Sequence, residues 1–368
     1  MALLNQGTRK RPQERIPDGF IMVVKSIPFM TAQRKRADRP AHRVRRDLVD
    51  GCGRRIDHLR LSVTSRCDLR CVYCRPDLHV NPPNEPAALT DDQRVELVRF
   101  LHERFGLAQV RITGGEPLVY DNLVPLIASI REAMPDLKIA MTTNARLLPL
   151  RAKALRRAGL ERLNISLDSL RPDRYREITG SHLAEVLAGF EAARDAGFPA
   201  PKVNVVALRG INDDEFAELA EWGFARGSEV RFLEAMPIGP VADFNRKAYM
   251  PNSAVRSRLG EHFALEPLTD PAGSTARHWF ASNDTCRGVI GLISPVSEPF
   301  CGGCRRIRVT ATGGLYPCLL DSRSSDLSVS WRNGLFDEEL AERIILQAVG
   351  GKAPQGTIQS TPMINIGG

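Results

Sequence analysis

From about residue 57 onwards, the hydrophobic positions of the chain follow two alternating periods. Short runs with apolar residues at every second position predict strands, and longer runs with apolar residues three or four positions apart predict helices. The predicted strands cover residues 58–63, 109–113, 138–143, 162–167, 202–208 and 229–235. The first of the predicted helices between them starts at Thr90. The other helices cover residues 121–134, 148–158, 182–196 and 213–226. Six such units predict a parallel sheet, open or curled, with an outer layer of helices.

Local signals mark where several of these helices start and end. Thr90 and Gln93 have the spacing of a capping box, followed by apolar residues at helical spacing. Glycine follows three of the later helical runs, at Gly159, Gly197 and Gly227, as is common at helix carboxyl ends. These signals support the alternation of strands and helices.

The alternation stops at about residue 245, where shorter apolar runs begin. Runs at 288–296 and 306–312, the second followed by two glycines and another short run, predict a small antiparallel appendage. A two-residue turn at these glycines would set Cys318 opposite Val309. The loop that contains Cys301 would then have to bend back to approach Cys318.

Composition and charge narrow the class of protein. The 368 residues are 43% hydrophobic and 26% charged, which is ordinary for a globular protein of one large domain with an appendage, or of two domains. No run of about 18 apolar residues is present, so we expect no membrane-spanning helix. The net charge is +8, but residues 1–46 hold twelve Lys and Arg against three Asp and Glu. The remainder has 39 basic and 40 acidic residues, which argues against nucleic-acid binding.

The first 46 residues are expected to form a basic, unstructured extension, because arginines and prolines occur there without periodicity. An organelle transit peptide is one alternative, although acidic residues and prolines interrupt it. An overlong gene start is another, with Met22 or Met30 as the true first residue. No functional prediction depends on this segment.

Six of the eight cysteines form two groups. We call Cys67, Cys71 and Cys74 the first triplet, and Cys301, Cys304 and Cys318 the second triplet. Thiolates that bind a soft metal must stay reduced, so a reducing, cytoplasmic compartment is predicted. Three thiolates suit an iron–sulfur cluster with one open iron, or a zinc site completed by a fourth ligand, for which His79 is the nearest candidate. Cys52 and Cys286 are expected to be buried thiols.

Short groups of polar residues and glycines lie at the carboxyl ends of several predicted strands. They are residues 114–117, 142–144, 166–168 and 234–236. Active residues of parallel α/β folds gather at the carboxyl ends of the strands. These groups and the first triplet are therefore expected to share one mouth.

The cysteine motifs resemble those of a known family. The run CDLRCVYC, which starts at Cys67, is similar to the CxxxCxxC motif of the radical S-adenosylmethionine (SAM) enzymes. The run FCGGCRRIR, which starts at Phe300 and is followed by Cys318, resembles the second cluster site of the GTP 3′,8-cyclases of molybdenum cofactor biosynthesis. The resemblance covers nearly all of residues 50–320 and includes the Gly-Gly at the end of the chain.

This resemblance implies a fold, cofactors and site residues. The implied fold is an incomplete (β/α)6 barrel with a small antiparallel C-terminal appendage that carries a second cluster. The implied cofactors are SAM and two 4Fe–4S clusters, held by Cys67, Cys71 and Cys74 and by Cys301, Cys304 and Cys318. The residues implied to contact SAM are Tyr73, Gly115, Ser166 and Met236. Those implied to contact GTP are Arg60, Arg111, Thr142, Lys202, Arg306 and Arg308. The terminal Gly367 and Gly368 are implied to be needed for cyclisation.

The resemblance also implies a reaction and its partners. A radical derived from SAM would remove hydrogen from C3′ of GTP, and C3′ would bond to C8 to give 3′,8-cyclo-7,8-dihydro-GTP. The second cluster would bind guanine, and the arginines suit the triphosphate because guanidinium groups pair with phosphate oxygens. The expected partners are GTP, an unidentified electron donor and a second copy of the chain, without nucleic acid or a membrane.

The predicted domains are the extension at 1–46, the partial barrel at 47–244, the auxiliary-cluster region at 245–340 and the tail at 341–368. Two other functions stay open from the sequence. One is a different radical SAM enzyme with an auxiliary cluster, such as a peptide-modifying maturase. The other is a zinc-stabilised module that binds nucleic acid.

Three positions depart from the family pattern. Arg305 stands where the family usually has asparagine, Ala145 where glycine is common, and Cys52 where an aromatic residue is frequent. The first two bear on the fit around guanine and at the mouth of the barrel. No predicted cluster ligand is missing.

Overall fold

The computed structural model describes residues 44–74 and 88–356. Most of the predicted basic extension, His79, Gly367 and Gly368 lie outside the described residues. The predictions for these positions therefore stay predictions.

Six parallel strands form the centre of the sheet. They are β1 (His58–Ser62), β2 (Gln109–Thr113), β3 (Lys138–Thr143), β4 (Arg162–Ser166), β5 (Lys202–Ala207) and β6 (Val230–Glu234). Each pairs in parallel with the next along the chain. All six predicted strands are confirmed to within one residue at each end.

Helices follow these strands as predicted, with one addition. They are α1 (Asp91–Phe105), α2 (Leu123–Ala133), α3 (Leu148–Arg157), α4 (Pro172–Thr179), α5 (Leu183–Asp195) and α6 (Phe216–Phe224). The capping box before α1 is confirmed: the Thr90 hydroxyl accepts the Gln93 N–H at 3.2 Å, and the Gln93 side chain accepts the Thr90 N–H at 2.8 Å. α4 was missed because its eight residues are too few to show a helical period clearly.

The main core lies between the helices and the outward face of the strands. Leu59 and Leu61 of β1 are buried there, and so is Ile112 of β2. Successive side chains of a strand point to opposite faces, so Arg60 and Arg111 point inward. The alternation that predicts these strands therefore also places basic side chains inside the curved sheet.

The C-terminal part adds strands to both edges of this centre. After two short helices, α7 (Ala242–Lys247) and α8 (Asn252–Gly260), the strands are β7 (Ala264–Pro267), β8 (Arg277–Ser282), β9 (Arg287–Ile293), β10 (Arg306–Val309), β11 (Gly314–Tyr316) and β12 (Ser325–Asp326). The sheet order is β12-β11-β10-β1-β2-β3-β4-β5-β6-β9-β8-β7. This order has two ends, so the barrel is incomplete, as expected.

The predicted antiparallel strands are present, but they are divided between the two edges. β9 pairs in parallel with β6, and β10 pairs in parallel with β1. The pairs β7–β8, β8–β9, β10–β11 and β11–β12 are antiparallel. The C-terminal region therefore continues the barrel wall on both sides and forms part of the interior.

The turn between β10 and β11 is wider than predicted. The Thr310 N–H donates to the Gly314 carbonyl at 2.9 Å, and Arg308 lies opposite Tyr316. The prediction that Cys318 faces Val309 is therefore wrong. Continued by two residues, the observed register sets Cys318 opposite Arg306, close in sequence to the rest of the second triplet.

The described chain ends with a small hairpin and a helix. These are β13 (Trp331–Arg332), β14 (Leu335–Phe336) and α9 (Glu338–Gly350). α9 is held to α1 by Glu342, which binds Arg104 at 2.8 Å. Among the residues described, no helix is long and apolar enough to cross a membrane.

Candidate active site

The inward face of the sheet surrounds a cavity of about 500 Å³, a usual size for a small-molecule site. Side chains from all six central strands and from β10 line it. All six cysteines of the two triplets line it as well, and all six are free thiols. The fold therefore brings together two triplets that lie more than 220 residues apart in the chain.

The loop of the first triplet rests against the end of β2. A Cβ atom built on Gly115 would lie 2.3 Å from the Arg66 carbonyl oxygen, so this approach requires glycine. The Gly115 N–H donates to the Thr64 carbonyl at 2.8 Å, and the Glu116 N–H donates to the Arg66 carbonyl at the same distance. Gly115 lines the cavity, and its bare backbone also lets the cysteine loop pack closely.

Glu116 connects this loop to the end of β3. Its carboxylate accepts hydrogen bonds from the Thr143 hydroxyl at 2.6 Å, from the Asn144 N–H at 2.7 Å and from the Leu118 N–H at 2.9 Å. The Asn144 side chain in turn donates to Asp68, within the first triplet's loop, at 2.7 Å. Burial raises the pKa of Glu116 to about 7. The carboxyl group therefore acts as a structural hub at the mouth of the barrel.

Asp168, which the sequence placed at the shared mouth without a specific role, and Asn245, which it did not select, hold two of the predicted SAM contacts. The Tyr73 hydroxyl donates to Asp168 at 2.7 Å, and the Val206 N–H donates to the same carboxylate at 2.8 Å. The Asn245 side chain donates to the carbonyls of Tyr73, at 3.0 Å, and of Met236, at 2.7 Å. Burial raises the pKa of Asp168 to about 6. Asn245 lies on the six-residue α7, where no motif or period points to it.

Three arginines form a row across neighbouring strands, which we call the arginine row. Arg308 of β10 lies opposite Arg60 of β1, and Arg60 lies opposite Arg111 of β2. Neighbouring strands are only about 4.8 Å apart, and like charges directly opposite one another repel. Burial, followed by the charges of Arg308 and Arg111, lowers the pKa of Arg60. Such a row is unfavourable by itself and favours a bound anion.

Unsatisfied donors in the cavity point to the same kind of ligand. Within the described residues, Nη1 of Arg111 and Nη2 of Arg306 are buried and have no hydrogen-bond partner. Burial is the main reason why the pKa of Arg111 is lowered to about 10, and the same holds for Arg308. Guanidinium donors of this kind bind phosphate or carboxylate oxygens well.

Of the six residues predicted to contact GTP, all in the described part of the chain, five line the cavity. Lys202 is the exception, and its ammonium group binds Glu229 at 2.5 Å. Arg231, also bound to Glu229, lines the cavity although sequence reasoning did not select it. The four residues predicted to contact SAM all line the cavity.

The two triplets differ in their surroundings. Burial raises the pKa of Cys67 to about 12 and also raises that of Cys71. Burial acts in the same direction on Cys304, but Lys352 and Arg306 outweigh it and lower the pKa of that thiol to about 7. Within residues 44–74 and 88–356, no three His, Cys, Asp or Glu side chains are placed to hold a single metal ion. A cluster differs from such a site because each thiolate binds a different iron.

Comparison with known proteins identifies the family. Residues 61–223 match the model of the Radical SAM superfamily, and residues 228–358 match the model named Molybdenum Cofactor Synthesis C. A GTP 3′,8-cyclase of Pelotomaculum thermopropionicum is 41% identical over 83% of this chain and 94% of its own length. The GTP 3′,8-cyclase of Pseudomonas putida is 41% identical over 82% of this chain and 90% of its own length. That of Corynebacterium glutamicum is 38% identical over 88% of this chain and 90% of its own length. The chain belongs to the GTP 3′,8-cyclase family.

Solved structures show the same fold at much lower identity. SuiB of Streptococcus suis, bound to its precursor peptide SuiA, matches 84% of this chain and 76% of its own at 14% identity, with a TM-score of 0.53. anSMEcpe with bound AdoMet matches 79% of this chain and 80% of its own at 13% identity, with a TM-score of 0.52. These similarities concern the fold alone.

The positions that depart from the GTP 3′,8-cyclase pattern have distinct surroundings. Ala145 has a φ of +65°, a left-handed conformation that glycine adopts more readily. Arg305 points to Asp57, with its Nε 2.8 Å from that carboxylate, and is not among the residues described as lining the cavity. Cys52 is exposed, so the expectation of a buried thiol is wrong there, whereas Cys286 is half-buried. Neither Arg305 nor Cys52 therefore occupies the cavity.

Proposed function

We propose that this chain converts GTP to 3′,8-cyclo-7,8-dihydro-GTP, the first step of molybdenum cofactor biosynthesis, with SAM and two 4Fe–4S clusters as cofactors. The observation that carries the proposal is the cavity, because both cysteine triplets and the arginine row line it. Membership of the GTP 3′,8-cyclase family supports the same reaction. In class, the protein is a radical SAM lyase.

The residue assignments are part of this proposal. The first cluster would be held by Cys67, Cys71 and Cys74, and the second by Cys301, Cys304 and Cys318. SAM would contact Tyr73, Gly115, Ser166 and Met236. GTP would contact Arg60, Arg111, Thr142, Lys202, Arg306 and Arg308. Gly367 and Gly368, outside the described residues, would act in cyclisation.

The cofactors would supply the radical chemistry, and the side chains would bind and orient the nucleotide. When bound, they would supply the radical chemistry, in which SAM, two electrons and one proton give methionine, 5′-deoxyadenosine that carries the C3′ hydrogen, and a product isomeric with GTP in which C3′ is bonded to C8. The protein must keep the ribose close to SAM and keep water away. The partly buried hydrogen bond between Tyr73 and Asp168 supports this role because it fixes one wall of the cavity.

The arginine row supports a polyphosphate as the ligand. Each phosphate oxygen that binds between two guanidinium groups relieves their repulsion, so a triphosphate stabilises the row more than a neutral ligand does. The orphaned donors of Arg111 and Arg306 are available for such bonds. Lys202 would have to share its ammonium group between phosphate and Glu229.

The remaining assignments complete the proposal. We propose a cytoplasmic enzyme that receives electrons from an unidentified donor and acts as a homodimer, without nucleic acid or a membrane as a partner. Residues 47–244 would bind SAM, residues 245–340 would hold the second cluster, and residues 341–368 would form the tail. The extension at 1–46 has no role in this account.

The test measures whether the hydrogen atom at C3′ of GTP is transferred to 5′-deoxyadenosine. The anaerobically reconstituted protein is incubated with SAM, a reductant and GTP that carries deuterium at C3′. We expect deuterium in 5′-deoxyadenosine together with a cyclised product of the mass of GTP. Formation of 5′-deoxyadenosine without deuterium, at the same rate with and without GTP, would contradict the proposed substrate. Incorporation of zinc in place of iron would contradict the reaction class.

A further inference from the structure

A buried ion pair lies behind the second triplet, outside the set of residues assigned above. Asp50 and Arg54 are 5% and 8% exposed. Nε of Arg54 donates to Asp50 at 2.6 Å, and the other carboxylate oxygen accepts the N–H groups of Cys52, at 2.9 Å, and of Arg54, at 3.0 Å. The carboxylate therefore fixes the orientation of the guanidinium group.

The two other nitrogens of Arg54 join distant parts of the chain. Nη1 donates to the carbonyls of Cys301 and Pro354, each at 2.9 Å, and Nη2 donates to the carbonyl of Ala353 at 2.8 Å. Cys301 belongs to the second triplet, whereas residues 353 and 354 follow α9 near the end of the described chain. One planar group thus binds the triplet's loop to the segment that leads to the C-terminus.

Lys352 binds the same segment from the other side. It is 4% exposed, and its ammonium group donates to the carbonyls of Arg306 and Pro317, each at 2.6 Å. Arg306 is two residues after Cys304, and Pro317 directly precedes Cys318. The segment 352–354 is therefore bonded close to every cysteine of the second triplet.

Close backbone approaches confirm how tightly this region packs. A Cβ atom built on Gly51 would lie 2.8 Å from the Gly350 carbonyl oxygen, so the loop of Asp50 and Arg54 also touches the end of α9. A Cβ atom built on Gly356 would lie 3.0 Å from the sulfur of Cys318. The chain thus passes the second triplet just before its final residues.

We propose that Arg54 is a positioning residue that keeps the second triplet and the C-terminal segment in a fixed relation, so that GTP held at the second cluster is aligned for cyclisation. This inference rests on the proposed function. Lysine cannot replace Arg54, because one ammonium group cannot reach four acceptors arranged around a planar fork. Arg54 acts through backbone carbonyls and does not itself contact the nucleotide.

The experiment compares Arg54→Gln and Arg54→Lys with the neighbouring control Arg55→Gln. Arg55 is half exposed and pairs with Asp47 at 3.3 Å, so it matches Arg54 in type and location but not in contacts. Each reconstituted protein is assayed for 5′-deoxyadenosine, for cyclised nucleotide and for the change that GTP causes in the electron paramagnetic resonance signal of the second cluster.

Both Arg54 variants are expected to cleave SAM but to form at least about tenfold less cyclised product per 5′-deoxyadenosine, with a weakened GTP-induced signal change. The Arg55 control should keep the wild-type ratio. A wild-type ratio and signal change in Arg54→Lys would overturn the inference, even if Arg54→Gln does not fold.

The wild-type protein separates this inference from the proposed function. If the wild type forms no cyclised product from GTP, the proposed function fails. The inference about Arg54 is then judged from the second cluster's signal without nucleotide. A changed signal in Arg54→Lys supports the positioning role, and an unchanged one contradicts it.

Discussion

Replacement of Arg111 by methionine should stabilise the nucleotide-free protein and weaken GTP binding. Burial, followed by the charge of Arg231 and then that of Arg306, lowers the pKa of Arg111 to about 10. Methionine keeps an unbranched side chain of similar length without the charge. The prediction is therefore that one substitution changes stability and affinity in opposite directions.

The size of the stability effect follows from the pKa. Compared with the ordinary pKa of arginine, this lowered value corresponds to about 3 kcal/mol by which the folded protein disfavours the charged form. The group is charged in both the folded and unfolded states below pH 10, so the whole cost is present at pH 7 and disappears only as pH rises from about 10 towards the ordinary pKa of arginine. With about 2 cal/mol/K of unfolding entropy per residue over roughly 300 residues, 3 kcal/mol raises Tm by about 5 °C.

The affinity effect comes from lost hydrogen bonds to phosphate. One charge-assisted hydrogen bond contributes about 1.5 to 3 kcal/mol, so Kd for GTP should rise about 10- to 150-fold. Wild-type protein at 100 times Kd gains about 2.7 kcal/mol from bound GTP, and the variant should lose between about half and about nine-tenths of that gain at the same concentration.

The assay is thermal unfolding of anaerobically reconstituted protein with and without GTP, together with equilibrium binding. Arg131→Met is the matched control, because Arg131 binds Glu161 at 2.5 Å and the Gly159 carbonyl at 3.0 Å, within the outer layer. The control should lower Tm slightly and leave Kd unchanged. An Arg111→Met protein with unchanged or lower Tm and wild-type affinity would refute the reasoning about the arginine row.

Three other substitutions and one deletion test separate parts of the account. Cys71→Ser should abolish SAM cleavage and reduce bound iron from about eight to about four atoms per chain, by iron analysis; full iron content would contradict its assignment. Deletion of Gly368 should spare 5′-deoxyadenosine but stop cyclised product, and normal product by mass spectrometry would exclude the role. Ala145→Gly should relieve about 1 kcal/mol of backbone strain and so raise Tm slightly. A lower Tm would contradict the strain assigned to the left-handed conformation of Ala145. Burial raises the pKa of Glu116 from 4.5 to about 7, so wild-type stability relative to Glu116→Gln should fall as pH rises from about 4.5 to 7; a constant difference in Tm would contradict that shift.

The central sheet could be predicted from the sequence because its signals are local. Each of the six strands shows its own alternation, and the Thr90 capping box marks the start of α1 within four residues. The pairing of β10 with β1 is different, because Arg308 and Arg60 are nearly 250 residues apart and no local pattern relates them. The arginine row exists only once these strands pair. The family resemblance therefore pointed to each arginine separately, but not to their arrangement in a row.

The polar residues that support the site were harder to predict than those that line it. Cysteine spacing is a chemical signal in itself, whereas Asn245, Arg54 and Lys352 look like solvated side chains in the sequence. All three are buried, and each donates to the backbone carbonyl of a distant segment. Their roles depend on tertiary packing, which periodicity does not report.

Turn geometry accounts for the register error at the second triplet. Two adjacent glycines suggest a two-residue hairpin turn, but the Thr310 hydroxyl accepts the Gly314 N–H at 2.8 Å and widens the turn. Of these two glycines, Gly313 has a left-handed conformation, with φ of +94°, and Gly314 does not. The wider turn shifts Cys318 towards the rest of the second triplet.

The most direct test of the central claim is an assay of the anaerobically reconstituted protein with SAM, reductant and either GTP, ATP or no nucleotide. We predict that 5′-deoxyadenosine and the cyclised nucleotide both form with GTP, and that the cyclised nucleotide forms in neither of the other reactions. Intact clusters that cleave SAM at the same rate in all three reactions, without cyclised product, would contradict the account and favour a different radical SAM enzyme.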